Sequence, residues 1–227
     1  MGNLRLLLFF LAGVAPCCFA AGTSASTSPV VVVLQQDLLP RFDTSEFHRG
    51  FQEFLSILPP DRSVSIYAFD GPSTRLLIQA CAGDMRWPVP GFSFTLPSSG
   101  DVCPYKCLLQ LIKEQGFQNQ RVLWITDGYS DHFHNDSISD FQTLLDLSAE
   151  CRSRTVKVTG IYTAGAAPRE NIPFFDRSNT GPSRKTFWLS MSFDCSRTVS
   201  EKSGGTFYYG FPSYRSLFRR LVEKGEL

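Results

Sequence analysis

The sequence predicts an α/β domain: a doubly wound, mostly parallel six-stranded sheet with one antiparallel edge strand and helices on both faces. Three observations lead there. Residues 30–34 (Val-Val-Val-Val-Leu) and 122–125 (Val-Leu-Trp-Ile) are unbroken apolar runs, the pattern of strands covered on both faces rather than one. The segments between such runs carry apolar residues at helical spacing, so strands and helices alternate along the chain. Each run also stops abruptly in polar residues, Gln35-Gln36-Asp37 and Thr126-Asp127-Gly128. Ligands of open parallel sheets bind beyond the carboxyl ends of the strands, which puts Asp127 at the mouth of any crevice.

In order, residues 21–29 form a short leader rich in Ser, Thr, Ala and Gly, and 30–34 the first strand. Asp43 or Ser45 can cap a helix that aligns Phe47, Phe51, Phe54, Leu55 and Leu58; Gly50 weakens it slightly and Pro59-Pro60 ends it. Residues 63–69 alternate as a second strand, Asp70-Gly71-Pro72 turns, and 74–80 returns as the antiparallel edge. The Pro-, Gly- and aromatic-rich residues 84–99 read as a surface loop. Asp101 is the expected cap of a second helix, with Pro104 in its first turn, Gly116 at its stop and a stripe of Val102, Tyr105, Leu108, Leu109 and Ile112. After the strand at 122–125, Phe141, Leu144, Leu145, Leu147 and Cys151 mark a third helix. A strand at 156–162, an extended loop at 164–185, a helix near 193–201, a strand at 206–209 and a helix at 213–223 complete one domain over residues 30–227.

The 227 residues are 43% apolar with 20 Phe, which suits a packed core. Residues 1–20 read as a secretory signal: Arg5, an apolar stretch over 6–14, and Cys18-Phe19-Ala20 as a small-x-small cleavage pattern giving a mature start at Ala21. That stretch is well short of the ~20 residues needed to span a bilayer, so no stable membrane span is expected after cleavage. The expected location is therefore secreted or periplasmic. Without Arg5 the mature chain has 21 basic and 21 acidic residues and no basic stripe for nucleic acid. Its five cysteines, Cys81, Cys103, Cys107, Cys151 and Cys195, are odd in number and match no zinc spacing.

Taken together, Val122-Leu123-Trp124-Ile125-Thr126-Asp127-Gly128 and Ser203-Gly204-Gly205-Thr206-Phe207-Tyr208 resemble strand-end signatures of von Willebrand factor type A domains, a Rossmann-like family. The segment from Leu58-Pro59-Pro60 to Ile66-Tyr67 is further similar to VWFA-related proteins exported by some soil bacteria. The resemblance covers residues 30–221 and implies a metal-ion-dependent adhesion site, in which magnesium helps to bind a partner's carboxylate. Such a site needs Asp-x-Ser-x-Ser after the first strand, a Thr before a later helix and an Asp after the fourth strand. Here Asp127 alone fits. Gln35-Gln36-Asp37-Leu38-Leu39 lacks both serines, and Val102 stands near the Thr position. The adhesion motif reads as degenerate, so magnesium is not expected as a cofactor.

The segment 127–140 also carries Asp131, His132, His134, Asp136 and Asp140. With Asp127, the His132/His134 pair could ligate zinc and serve a metal-dependent hydrolase, the alternative reading. The same residue types suit a solvated turn-rich loop, which is preferred. His48 is expected on the helix surface, and no nucleophile elbow, phosphate loop or dinucleotide fingerprint occurs. The expectation is a non-enzymatic, exported binding module for a protein partner. Its binding residues would be Gln35, Asp37, Asp101, Asp127, Tyr129 and Ser130, in the loops after Leu34, Gly100 and Asp127. The aromatics of 87–94 could add to its rim or cover the core.

Overall fold

In a computed structural model, the structure describes residues 29–36, 43–70, 73–94, 103–128, 137–163 and 184–227; the side chains at 70, 137–140 and 184–191 lie outside that description. The elements are β1 (Val30–Gln35), α1 (Thr44–Ile57), β2 (Ser63–Asp70), β3 (Ser73–Cys81), α2 (Pro104–Glu114), β4 (Arg121–Thr126), α3 (Ser137–Ser153), β5 (Lys157–Tyr162), α4 (Arg184–Lys202), β6 (Phe207–Tyr208) and α5 (Tyr214–Glu223). The sheet order is β3-β2-β1-β4-β5-β6. Only β3 is antiparallel, pairing with β2 at the edge, while β1 lies between β2 and β4, parallel to both. This is the architecture expected from the sequence.

Alternation along the strands explains the unbroken apolar runs. Val30, Val32 and Leu34 of β1, with Leu123 and Ile125 of β4, face a core shared with Phe47, Phe51 and Phe54 of α1 and Phe218 of α5. Val31, Val33, Val122 and Trp124 face the opposite core with Tyr105 and Leu108 of α2, Leu147 of α3 and Val199 of α4. With helices on both sides, neither strand face is free to be polar.

Asp43 caps α1, its carboxylate accepting from the Glu46 N–H at 2.9 Å. Glu46 in turn accepts from the Tyr214 N–H at 2.8 Å, tying the start of α1 to the start of α5. Gly50 is required by this pairing: a Cβ there would lie 2.8 Å from Tyr214 Cβ and 2.9 Å from Arg215 N. The helix tolerates the glycine because α5 lies directly against it.

Four sequence-based expectations change. The helix after residue 100 is not capped by Asp101: α2 starts at Pro104 with Cys103 as its N-cap and no side-chain cap. Proline favours the first helical position and drives the preceding residue into extended conformation, and Cys103 has φ −138° and ψ 90°. Of the stretch 84–99, the described part, 84–94, is not simply a surface loop, since Met85, Trp87, Val89 and Phe92 are buried in the α1–α5 core. The aromatics of this stretch cover that core, with Trp87 edge-on to Phe51 at 4.8 Å. His48 is half-buried rather than free at the surface, and the Trp87 indole N–H donates to its Nδ1 at 2.8 Å. On α3, Leu144, Leu147 and Cys151 are buried, but Phe141 and Leu145 of the expected stripe are 52% and 64% exposed. Burial pushes the Cys151 thiol up to about 12.

Candidate functional site at the strand ends

The parallel strands β1 and β4 end side by side, which brings Gln35 against Thr126 and Asp127. The Thr126 hydroxyl donates to Gln35 Oε1 at 2.5 Å, and the Asp127 N–H reaches the same oxygen at 3.2 Å. The Gly128 N–H donates back to Thr126 Oγ1 at 2.8 Å, closing the turn. Gly128 has φ +66°, and a Cβ there would lie 2.4 Å from Ser196 Oγ. Only glycine fits where the chain leaves β4 against α4.

Neither principal residue is solvated. Gln35 is fully buried and Asp127 is 1% exposed. Asp127 leads directly into the turn at Gly128, against which the α4 backbone packs at Ser192. Its charge is felt nearby: burial first, then Asp127 and Asp194, raises the Tyr162 phenol. Tyr105, read from the sequence as one member of an apolar stripe, is a polar anchor at its tip. Its hydroxyl is 3.0 Å from the Gly128 carbonyl and 3.2 Å from the Ser192 carbonyl, and can donate to either. Ser196 Oγ lies 3.3 Å away. Complete burial holds the phenol well above its ordinary range, so it acts as a neutral hydrogen-bonding group.

Beyond Gln35 the site extends towards β3. The Gln36 N–H donates to the Phe69 carbonyl at 2.8 Å, continuing the sheet past β1. Gln36 Nε2 donates to the Ser93 carbonyl at 2.9 Å, and exposed Arg75 donates to Gln36 Oε1 at 3.0 Å. One amide thus ties the loop after β3 to the strand ends. On the β5 side, the Thr163 N–H donates to the Thr126 carbonyl at 2.9 Å.

The structure therefore joins two of the expected site residues, Gln35 and Asp127. Asp37, Asp101, Tyr129, Ser130, His132 and His134 lie outside the described residues. Gln36, Arg75, Tyr105 and Thr126 were missed. Thr126 had a signal, as the first polar residue after an apolar run, whereas Tyr105 and Arg75 depend on partners far along the chain.

The magnesium implied by the resemblance asks for several hard oxygen ligands in an octahedral arrangement. Gln35 presents a neutral carboxamide whose oxygen already accepts two hydrogen bonds, one of them from the Asp127 N–H. These described residues do not make such a ligand set. Among the described residues no group of three or more His, Cys, Asp or Glu could hold a metal ion, and no helix is long and apolar enough to cross a membrane.

No protein-family model matches the sequence, and no curated protein matches it. Solved structures do resemble the fold. An aerotolerance-related membrane protein from Bacteroides fragilis NCTC 9343, with multiple mutations to serines, superposes with a TM-score of 0.57 at 12% identity over 87% of this chain and 98% of that one. A von Willebrand factor type A structure from Catenulispora acidiphila superposes with a TM-score of 0.52 at 12% identity, over 89% of this chain but 43% of that one. This chain thus spans less than half the length of the Catenulispora chain. Likeness at such identity speaks to architecture alone: the chain has a von Willebrand factor type A-like fold.

Proposed function

We propose that this chain is an exported von Willebrand A-like binding module, not an enzyme, that engages a protein partner at the ends of β1 and β4 without a metal. The observation carrying this reading is the Gln35 carboxamide. It stands where the resemblance expects the first acidic ligand, and its oxygen is already used by Thr126 and Asp127. A neutral amide here holds two strand ends together by hydrogen bonds, so the loops can be positioned with no cation between them. Arg75, exposed beside Gln36, gives that face a positive rim contact.

The test is affinity capture from the native extracytoplasmic fraction, run in chelator and in magnesium, with wild type and with Arg75→Glu. A partner retained equally in both buffers and depleted by Arg75→Glu is expected. Retention only in magnesium would restore a metal-dependent mechanism, and indifference to Arg75→Glu would move the contact elsewhere. N-terminal sequencing of the exported protein should begin at or near Ala21; a start at Met1 would end the export reading.

A further inference from the structure

We propose that the Tyr105 hydroxyl and the Gly128 carbonyl form a two-position latch at the end of β4. The hydroxyl donates to Gly128 in one position and to the Ser192 carbonyl in the other, which frees the Gly128 carbonyl to turn outward. The device belongs to the free protein and does not rest on the binding reading above. Its parts come from three elements: Tyr105 lies in the first turn of α2, Gly128 follows β4, and Ser192 belongs to α4. The phenol oxygen is 3.0 Å from the Gly128 oxygen and 3.2 Å from the Ser192 oxygen.

Proton counting makes the arrangement two-valued. A phenol has one O–H donor, so two carbonyls at hydrogen-bond distance compete for it. They compete unequally. As a carbonyl inside a helix, Ser192 also accepts the backbone N–H four residues on, and the phenol gives it a second bond. Among the described residues no backbone N–H donates to the Gly128 oxygen, which therefore depends on Tyr105. The inward position, with Tyr105 on Gly128, is accordingly the more populated one. Rotation of the O–H bond alone carries the proton across, because the two acceptors are neighbours: a Cβ on Gly128 would lie 2.7 Å from the Ser192 oxygen. Tyr105 and Ser192 are fully buried, where a donor left without an acceptor is destabilising. The second carbonyl removes that penalty, so Gly128 can let go without orphaning the phenol.

Gly128 is suited to letting go. Its φ is +66°, and with φ positive a glycine accepts either orientation of the peptide that follows, the difference between type I′ and type II′ turns. Reorienting that peptide changes ψ and swings the carbonyl oxygen while the Gly128 Cα stays against α4. Turned outward, the carbonyl is an acceptor at the strand ends. An N–H donor bound there would draw the latch outward by its preference for that state. Two hydroxyls border the junction: Ser192 Oγ, buried without a partner, and Ser196 Oγ, 3.3 Å from the phenol oxygen. Neither is needed, since both positions of the latch use a carbonyl.

The test is NMR relaxation dispersion and saturation transfer on the full chain, read at the Gly128 carbonyl carbon. Because the phenol keeps a bond in both positions, wild type should show microsecond-to-millisecond exchange with a minor state of about 1–10%. Tyr105→Phe keeps the ring that packs edge-on against Trp124 and removes the donor. The inward carbonyl is then left unsatisfied, so the outward state should gain at least ~5-fold over the inward one. The Gly128 shift should move towards the minor-state value measured in wild type. Ser192→Ala and Ser196→Ala delete the bordering hydroxyls and no carbonyl, and should leave the exchange in place. Flat profiles in wild type would overturn the proposal by themselves, whether or not Tyr105→Phe folds. Movement of the Tyr105→Phe shift away from the minor-state value would make the phenol a fixed tie and overturn it too. Loss of exchange in either serine variant would assign the second position to a hydroxyl, with the same consequence.

Discussion

Thr126 and Gln35, 91 residues apart in sequence, join the ends of β4 and β1 through a 2.5 Å buried hydrogen bond. Replacing Gln35 with Leu would leave the Thr126 hydroxyl and the Asp127 N–H without that acceptor in a place water does not reach. Each buried group left unsatisfied costs about 1–3 kcal/mol, so Gln35→Leu should lose roughly 2–6 kcal/mol by urea denaturation. Adding Thr126→Val should cost less in Gln35→Leu than in wild type, because the partner is already gone. Strict additivity would mean that the two residues are not coupled.

Gly50→Ala should destabilise, against the usual gain of about 1 kcal/mol from removing a glycine inside a helix. The new methyl would lie 2.8 Å from Tyr214 Cβ and 2.9 Å from the Arg215 backbone nitrogen, and neither can swing aside without moving α5. Overpacking of this kind costs about 1–3 kcal/mol, which outweighs the propensity term. A raised melting temperature would show that α1 and α5 separate easily.

These two sites mark what the sequence could and could not disclose. The run at 30–34 announced a doubly covered strand because solvent excluded from both faces leaves a local trace. Gly50 looked like a mild local defect, since its reason lies in α5. On α3, taking about 100° per residue, Leu144, Leu147 and Cys151 fall within roughly 60° of one another, whereas Phe141 and Leu145 point at least roughly 60° further round. Apolar identity alone could not separate the two arcs. At the candidate site, Gln35 and Asp127 were legible as residues that end strands. Their burial, and the Tyr105 contact with Gly128 and Ser192, depend on how α2 and α4 close over β4.

The two arcs of α3 can be separated by experiment. Leu147→Asp places a carboxylate at a fully buried position and should cost several kcal/mol or prevent folding. Leu145→Asp, at a 64% exposed position, should stay within about 0.5 kcal/mol of wild type. Comparing their urea midpoints checks the assignment, and similar losses would contradict it.

His48 should make stability fall on mild acidification. Burial lowers its pKa from 6.5, and the Trp87 indole N–H donates to Nδ1, which must be unprotonated to accept. The fold therefore favours the neutral ring. Above about pH 6.5 neither state binds a proton at His48 and the contribution is complete; as pH falls from there through the lowered folded value, the unfolded state protonates first and stability is lost. His48→Gln can retain an acceptor without titrating there. Its urea midpoint should drop less than that of wild type between neutral pH and pH 5, and parallel curves would remove His48 as the cause.

Magnesium should leave the melting temperature unchanged. A ligand that binds only the folded state stabilises by RT ln(1 + [L]/Kd), or about 2.7 kcal/mol at a hundredfold excess over Kd. For a domain of this size, roughly 2–4 °C per kcal/mol turns that into a rise of at least ~5 °C, which a thermal melt detects readily. The expectation of no rise rests on Gln35, because a neutral amide with its oxygen already engaged offers a hard cation little. Gln35→Asp provides the informative contrast. It restores a carboxylate beside Asp127, and two adjacent buried acids should lower the melting point in chelator through like-charge repulsion. If Gln35 is what disables the site, millimolar magnesium should recover part of that loss in Gln35→Asp and do nothing for wild type. A magnesium-dependent rise in wild type, lost in Asp127→Ala, would instead show that the native residues hold the cation and would return carboxylate capture as the binding mechanism.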